Sequence, residues 1–143
     1  MEKWQKLTGL CQEEIIVFIG CGKKKSYRKN FADRMYLGNY FRTCFSLAKK
    51  LTTKNNIYIL SAKYGLLKLT DVIEPYELKL TSLSKEDRIR WSKKVKKQMK
   101  HLKGKRIFIC SEKYSENLKG VKLLPKVGMG YQLKWMKGLL CTK

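Results

Sequence analysis

Apolar residues form four short runs along the chain, and the first is the most continuous. Residues 15–19 read IIVFI, a β-branched run that is typical of a central strand buried on both faces of a sheet. Further runs predict strands at residues 57–60, 106–110 and 121–124, the last of which stops at Pro125. The first strand should therefore be the centre of the fold.

The segments between these strands have the spacing of amphipathic helices. Apolar positions three and four residues apart predict a helix over residues 39–51, and Ser84 with Asp87 resembles a capping box that opens a helix to about residue 102. Residues 131–140 predict a last helix, and residues 31–37 a short helical turn. This alternation predicts a single α/β domain with a mostly parallel central sheet of about four strands flanked by helices, preceded by a loosely attached segment at residues 1–12.

Charge changes this picture more than any other property of the composition. The 143 residues include 33 Lys and Arg against 11 Asp and Glu, which gives a net charge of +22 and implies a polyanionic partner. Nucleic acid is the first candidate, with DNA favoured and tRNA as the alternative. An anionic membrane surface comes second, because no apolar stretch is long enough to span a bilayer. With no signal-peptide pattern at the N-terminus, we expect a cytoplasmic monomer.

Cysteine and histidine usage excludes several kinds of site. The five cysteines are widely spaced and contain no CxxC pair, which argues against a zinc ribbon and against a disulfide framework. His101 is the only histidine, so a histidine-based triad or a two-histidine metal site is excluded. We therefore expect no metal and no cofactor.

A basic loop follows the first predicted strand directly. Gly20 and Gly22 allow a sharp turn around Cys21, and the nearby cations are Lys23, Lys24, Lys25 and Arg28. A phosphate-loop motif is excluded, because it needs four residues between its glycines. Ligands of open α/β sheets bind where the strands end, so this loop is expected to meet an anion; a merely solvated basic turn is the alternative. Cys21 is a candidate nucleophile, or only a small residue that suits a tight turn.

Two predicted strands end in the same four-residue pattern, Ser-x-Lys-Tyr. The first of these Ser-x-Lys-Tyr turns contains Ser61, Lys63 and Tyr64, and the second contains Ser111, Lys113 and Tyr114. Parallel strands would bring both lysines to the same end of the sheet. Coincidence in a lysine-rich chain is the alternative explanation.

Carboxylates are scarce, so those in the loops that follow strands stand out: Asp33, Asp71, Glu74 and Glu77. Each is either an ion-pair partner of a lysine or a group that stabilises a sugar cation or orients water. Asp33 is the favoured catalytic candidate. Tyr36, Tyr64 and Tyr76 lie close to these acids in sequence and are candidates for stacking on an unpaired base.

Several motifs, in order along residues 15–135, resemble the small YaaA-like family of unknown function. They are Ile19-Gly20-Cys21-Gly22-Lys23-Lys24-Lys25, Ala32-Asp33-Arg34-Met35-Tyr36, Ile59-Leu60-Ser61-Ala62-Lys63-Tyr64-Gly65-Leu66, Ile73-Glu74-Pro75-Tyr76-Glu77 and Gly128-Met129-Gly130-Tyr131-Gln132-Leu133-Lys134-Trp135. The wider superfamily resembles the core domain of archaeosine synthase, the DNA-binding peroxide-stress protein YaaA and, distantly, uracil-DNA glycosylase. The resemblance implies an α/β fold and chemistry on nucleic-acid bases.

Together these features predict a DNA glycosylase that cleaves the N-glycosidic bond of an extruded, modified base, in repair or in defence against phage. The alternatives are a base-modifying transferase and a non-catalytic DNA-binding protein. The expected catalytic residues are Asp33, Glu77, Lys63 and Cys21. The expected nucleic-acid contacts are Lys23, Lys24, Lys25, Arg28, Lys113 and Gln132, and the expected base pocket comprises Gly20, Gly22, Tyr36, Ser61, Tyr64 and Tyr76.

Overall fold

A five-stranded, mostly parallel sheet forms the centre of the molecule. The structure is a computed structural model that describes residues 2–9 and 14–141. The strands are β1 (Ile15–Gly20), β2 (Asn30–Phe31), β3 (Ile57–Ser61), β4 (Gly65–Lys68), β5 (Val72–Ile73), β6 (Lys105–Ile109) and β7 (Val121–Lys122). The order of the strands in the central sheet is β4-β3-β1-β6-β7. The helices are α1 (Glu2–Thr8), α2 (Ala32–Met35), α3 (Asn39–Leu51), α4 (Lys85–Met99), α5 (Glu112–Ser115) and α6 (Met129–Leu140).

The central strand is the one that the apolar pattern predicts. All six residues of β1 are buried, and the strand pairs in parallel with β3 on one side and β6 on the other. Ile19 lies opposite Ile59 and Ile109 in these two registers, so three β-branched side chains form one row across the sheet. A strand enclosed in this way has no polar face, which explains its uninterrupted hydrophobic run. The predicted α/β class with a mostly parallel sheet is confirmed.

The sheet has one strand more than the four predicted. β4 folds back on β3 as an antiparallel hairpin, with Ser61 opposite Gly65. Gly65 has a φ of +78°, a conformation that glycine adopts without steric cost. The side-chain oxygen of Gln98 on α4 then accepts a hydrogen bond from the backbone N–H of Leu66, at 2.9 Å, and fixes the hairpin to the helix.

Helices cover the sheet on both faces. α3 packs on β1 and against α6, whereas α4 packs against β4. Right-handed crossovers place α3, which connects β1 to β3, and α4, which leads back across the sheet to β6, on opposite faces. At the start of α4, Ser84 accepts a hydrogen bond from the backbone N–H of Asp87 at 3.1 Å, as the capping pattern predicts.

The N-terminal segment differs from the expectation within the part that is described. Residues 2–8 form α1, whose Trp4 and Leu7 are both buried in the core. Two large apolar side chains at i and i+3 lie on one face of a helix, and this face holds the segment against the body of the protein. Residues 1 and 10–12 of the predicted loose segment lie outside the described residues.

Smaller differences concern the ends of elements. The predicted helical turn at residues 31–37 is the four-residue α2, preceded by β2, which pairs with β5 in a separate two-stranded sheet. β7 covers only two of the four residues predicted for the last strand, and α6 begins two residues earlier than expected. None of these differences alters the central sheet.

Candidate functional site

The candidate site is a cleft of about 440 Å³ at the carboxyl end of the sheet, between β1 and β6. The chain moves from β1 to β3 on one side and later returns to β6 on the other, so this is the point at which the strand order reverses. Open α/β sheets bind their ligands at such a switch point. The residues that line this switch-point cleft are Gly20, Cys21, Gly22, Lys23, Lys24, Lys25, Gly38, Asn39, Tyr40, Phe41, Leu78, Lys79, Thr81, Ser111, Tyr114 and Met129.

Other clefts among the described residues are somewhat larger, at about 590, 510 and 470 Å³. None of these three contains a residue of the loop that follows β1, and none lies at the point where the strand order reverses. Position and lining chemistry therefore decide in favour of the switch-point cleft, whose volume is within the range of about 300–1,000 Å³ that ligand sites occupy.

One wall of the cleft is the lysine loop, residues 21–26. Backbone hydrogen bonds hold it in place at three points: Cys21 donates to Leu60 at 3.0 Å, Ser26 donates to Met35 at 2.8 Å, and Leu37 donates to Lys24 at 2.9 Å. The side chains of Lys23 and Lys24 remain exposed on this fixed backbone. The loop therefore presents positive charge from a defined position, as an anion site requires.

Lys25 is the lysine of this loop that turns inward. Its ammonium lies 4.5 Å from the centre of the Tyr76 ring and donates a hydrogen bond to the backbone carbonyl of Lys23 at 3.2 Å. The contact with the electron-rich ring face fixes the cation beside the cleft. Of the cations of the loop, Lys25 is the one held closest to the protein interior.

The opposite wall is the first turn of α3, from Asn39 to Phe41. Gly38 precedes the helix and provides no side-chain hydrogen bond to its N-terminus. The first backbone N–H groups of a helix lack partners within the helix, and the helix dipole makes this end attractive to anions. The wall therefore reinforces the positive potential of the lysine loop.

The floor of the cleft joins the ends of β1 and β6 through one side-chain contact. The sulfur of half-buried Cys21 and the hydroxyl oxygen of Tyr114 form a hydrogen bond of 3.0 Å. Burial, together with the nearby Cys21 thiol, raises the pKa of Tyr114 above its usual range, so the phenol keeps its proton at neutral pH. The pair thus places a protonated phenol within hydrogen-bond distance of the Cys21 sulfur.

Trp91 on α4 connects the two Ser-x-Lys-Tyr turns beneath this floor. Its indole N–H donates to the backbone carbonyl of Ser61 at 2.9 Å, and its ring lies edge-on to Tyr114 at 5.8 Å. The expectation that both turns lie at the same end of the sheet is confirmed, because β3 and β6 run parallel on either side of β1. Only the first serine caps its turn, accepting from the backbone N–H of Tyr64 at 3.1 Å.

A second set of hydroxyl groups lies behind the lysine loop. The hydroxyl oxygen of Tyr76 is 2.7 Å from that of Tyr36 and 2.7 Å from the hydroxyl oxygen of Ser61. Burial raises the pKa of both phenols well above the usual range. Tyr36 is 1% exposed and Tyr76 is 9% exposed, so neither ring is free to stack on a base, and that expected role is wrong for both. Their hydroxyl groups satisfy one another in the interior, which makes the pair a support for the loop.

Two further residues of the predicted base pocket also lie outside the cleft. Ser61 is fully buried in the hydroxyl chain. Tyr64 is half-buried beside Tyr76, and its hydroxyl group exchanges hydrogen bonds with the backbone of Glu74 at 3.2 and 3.3 Å. Gly20 and Gly22 do line the cleft, and a Cβ on Gly20 would lie 3.0 Å from the Cβ of Cys110, a tight contact that favours glycine there.

The candidate carboxylates are not brought together with Cys21. Asp33 lies in the separate 510 Å³ cleft with Lys54 and Lys68, at the amino end of β3. Glu77 is exposed and does not line the switch-point cleft. Among the described residues, no Asp or Glu lines that cleft. The sequence predicts a catalytic carboxylate beside the lysine loop, but the structure places neither Asp33 nor Glu77 in the switch-point cleft.

The remaining predicted contacts are spread over the surface. Lys63, Lys113 and Arg28 are exposed and lie outside the cleft lining. Gln132 is buried: its amide oxygen accepts from the Tyr40 hydroxyl at 2.6 Å, and its amide nitrogen donates to the Pro125 carbonyl at 2.9 Å. Both ends of this amide are used inside the protein, so Gln132 braces α6 and is not retained as a nucleic-acid contact.

Sequence reasoning did not select several residues of the cleft: Asn39, Tyr40, Leu78, Lys79, Thr81, Ser111, Tyr114 and Met129. A usable signal existed for two of them, Ser111 and Tyr114, because the repeated Ser-x-Lys-Tyr turn already placed them at the carboxyl end of the sheet. The others come from the starts of α3 and α6 and from the loop before α4, whose approach to the cleft depends on tertiary packing.

Neither a cluster of metal-ligating side chains nor a membrane-spanning helix occurs among the described residues. Within residues 2–9 and 14–141, no group of three His, Cys, Asp or Glu side chains is arranged to hold a metal ion. No helix in the same ranges has the length and apolar character needed to cross a bilayer.

Comparison with known proteins identifies a family but no function. A family model described as "Family of unknown function (DUF6884)" matches residues 16–138, from the second residue of β1 almost to the end of α6. No curated protein and no solved structure matches the chain. The resemblance to the YaaA-like family therefore stays a prediction. The chain belongs to DUF6884, a family of unknown function.

Proposed function

We propose that this protein is a DNA-binding enzyme that cleaves the N-glycosidic bond of a base extruded from the duplex. The observation that carries the proposal is the switch-point cleft itself, in which the lysine loop faces the start of α3 above the Cys21–Tyr114 pair. The net charge of +22 supports a polyanionic partner, and a confined cleft supports a partner that inserts one nucleotide unit.

Binding is explained by the two walls of the cleft. The exposed ammonium groups of Lys23 and Lys24 and the first N–H groups of α3 contact the phosphates on either side of the extruded nucleotide. Tyr40, Leu78 and Met129 provide apolar surface for the base, and Leu78 and Met129 are exposed in the unbound protein. An aromatic and apolar lining accepts any base through its ring face, so selectivity rests on the fit of its substituents.

The chemistry we propose uses the residues of the cleft floor. The bond between C1′ and the base nitrogen breaks with its electron pair on the base, and Lys25 stabilises the developing negative charge. The Cys21 thiol donates a proton to the departing base. Water adds at C1′ and returns a proton to the sulfur, which the Tyr114 hydroxyl stabilises through the 3.0 Å hydrogen bond. Lys25 thus replaces Lys63, whose side chain lies outside the cleft.

The proposal is tested by incubating the protein with genomic DNA from several phages, including phages with modified cytosines. Strand scission after alkali reveals abasic sites, and mass spectrometry identifies the released base. Abasic sites with a free base support the proposal. Exchange of one base for another without abasic sites would indicate a transferase, which is tested on tRNA in parallel. Tight DNA binding with no released base from any substrate would contradict an enzymatic role and indicate a binding protein.

A further inference from the structure

The outer face of α4 carries a dense set of cations that the switch-point cleft does not use. Residues 88–111 contain ten Lys and Arg and no Asp or Glu. In the part of the helix that follows Arg88, the side chains that are exposed and positively charged are Arg90, Lys93, Lys94, Lys96 and Lys97. No other stretch of the chain without Asp or Glu contains as many Lys and Arg.

Helical spacing arranges these cations as a stripe. Arg90 lies three and four residues before Lys93 and Lys94, and Lys97 lies four and three residues after them, so these four cations share one side of the helix. We call this set the α4 stripe. It lies opposite the buried face formed by Trp91, Val95 and Met99. At 1.5 Å per residue, the stripe from Arg90 to Lys97 is about 10 Å long.

Such a stripe is unfavourable for the folded protein by itself. Like charges at i and i+4, such as Lys93 and Lys97, destabilise a helix by roughly 0.2–0.5 kcal/mol per pair. The helix dipole favours cations only in the last turn, which accounts for Lys96 and Lys97 but not for Lys93. At the N-terminal end of the α4 stripe, the ion pair between Arg90 and Asp87, at 2.8 Å, offsets the positive charge of Arg90. A polyanion bound along the stripe would remove this repulsion.

We propose that the α4 stripe is a second nucleic-acid contact, which holds the phosphate backbone of a strand whose extruded nucleotide occupies the cleft; the inference rests on the proposed function. The two surfaces are connected through the carboxyl end of the sheet. Trp91 binds the carbonyl of Ser61 there, and the ammonium of Lys94 lies 3.5 Å from the carbonyl of Lys63 in the β3–β4 turn. The α4 stripe begins near the carboxyl end of the sheet and runs toward its amino end.

The dimensions and chemistry of the stripe fit a phosphate backbone. Phosphates of one strand are about 3.4 Å apart along the axis of B-DNA, so about 10 Å spans roughly three of them. Lysine predominates, and lysine acts as a point charge for phosphate more than as a reader of bases. The contact is therefore independent of base sequence, and it lengthens the footprint of the protein without changing which base is selected.

An anionic membrane surface fits the stripe less well. Helices that lie on membranes insert large apolar side chains beside their cations. The exposed large hydrophobic residues of the described chain lie in other segments, and none is in α4. Nucleic acid is therefore the partner that the composition of this face favours.

The test compares two DNA ligands and three proteins. One ligand is a single strand of about six nucleotides, which fills only the cleft, and the other is a duplex of about three helical turns. The stripe variant combines Lys93→Gln, Lys94→Gln and Lys97→Gln. The control variant combines Lys119→Gln, Lys134→Gln and Lys137→Gln, which removes the same charge from exposed positions elsewhere. Thermal unfolding verifies that each protein is folded.

For the duplex, we expect the stripe variant to bind about 10²-fold more weakly at about 0.15 M salt, with a salt slope lower by about 3. The six-nucleotide strand should bind the wild type and both variants alike. Equal duplex binding by the stripe and control variants would overturn the inference while leaving the cleft proposal intact. Failure of the wild type to bind either DNA would instead contradict the proposed function. Weakened binding of the stripe variant to anionic vesicles, with unchanged DNA binding, would assign the stripe to membranes.

Discussion

The sulfur of Cys21 and the hydroxyl oxygen of Tyr114 lie 3.0 Å apart although 93 positions separate the two residues in the chain. Cys21 follows β1 directly, and Tyr114 lies in the short helix that follows β6. Because β1 and β6 are parallel neighbours, their ends meet at the same place, and the hydrogen bond closes the floor of the switch-point cleft. The parallel pairing of β1 and β6 thus brings together the two side chains that form the floor of the cleft in the proposed chemistry.

Removal of either partner should slow catalysis without abolishing binding. We expect Cys21→Ser and Tyr114→Phe each to reduce the rate of base release by at least about 10²-fold, which is within the range of general acid–base effects. Single-turnover base release measures the rate, and an equilibrium titration measures DNA affinity. The control is Cys141→Ser, at an exposed position in the turn that follows α6. A wild-type rate in Cys21→Ser would remove the thiol from the mechanism.

The carboxylates that the sequence favoured should be dispensable for the reaction. Asp33 lies at the amino end of β3, and Glu77 is exposed outside the cleft lining. We expect Asp33→Asn and Glu77→Gln to release base within about twofold of the wild-type rate, a change well below the effect of losing an acid–base group. DNA affinity should stay equal or rise, since each change removes a negative charge. A loss of about 10²-fold in either variant, with binding intact, would restore a carboxylate mechanism.

The lysine loop should dominate the binding of short ligands. Lys23 and Lys24 line the cleft, whereas Lys93 and Lys94 lie on the outer face of α4. For a single strand of about six nucleotides, the double change of Lys23 and Lys24 to Glu should weaken binding far more than the same change at Lys93 and Lys94. Affinity of the wild type should also fall steeply with salt. Equal losses in the two variants would mean that only total charge matters.

Stability should decrease in alkaline solution. Burial raises the pKa of Tyr36, Tyr76 and Tyr114, and it raises the pKa of Cys110 to about 12 from 9.0. In the unfolded chain these groups lose their protons above about pH 9 for the thiol and pH 10 for the phenols, while the folded state retains them. The unfolded state then binds fewer protons, so the free energy of unfolding falls as pH rises.

Urea unfolding at a series of pH values from about 8 to about 11 checks this expectation, with a decrease of about 1 kcal/mol or more per pH unit above about pH 10. Tyr76→Phe removes one of the titrating phenols and should make the decrease shallower. It should also lower stability at neutral pH, since Tyr36 and Ser61 lose their hydrogen-bond partner. Stability that is constant to pH 11 would contradict the buried, protonated state of these groups.

The sheet was predictable from sequence wherever burial alone determines the pattern. β1 has no polar position because both of its faces are covered, and such a run has few other interpretations. β4 was missed because it is a four-residue strand with alternating burial, entered through a turn at Gly65. A short half-buried strand differs too little from a loop in composition for its residues to identify it.

The site was predictable in part for a similar reason. The lysine loop follows a strand directly, so its place at the carboxyl end of the sheet follows from topology. Asp33 is only a few residues farther along, but the chain has by then turned away from the cleft: its backbone N–H donates to the carbonyl of Leu69, beyond the end of β4. Tyr36 and Tyr76 are polar enough to suggest a surface, yet their hydroxyl groups pair with each other in the interior. Proximity in sequence determines neither the position of Asp33 outside the cleft nor the burial of the two tyrosine hydroxyl groups.

The central claim, that base release occurs in the switch-point cleft, is tested most directly by filling the cleft. Gly22 lines it, has a backbone conformation open to other residues, and would place a Cβ in ordinary contact with Phe41 at 3.5 Å. Gly22→Leu should therefore fold but occupy the space of the extruded base, whereas Gly130→Leu adds the same side chain on α6 where no atom lies within 4 Å. Single-turnover base release from a responsive DNA is measured for the wild type and both variants. We predict loss of activity in Gly22→Leu and a wild-type rate in Gly130→Leu; a wild-type rate in a folded Gly22→Leu protein would contradict the account.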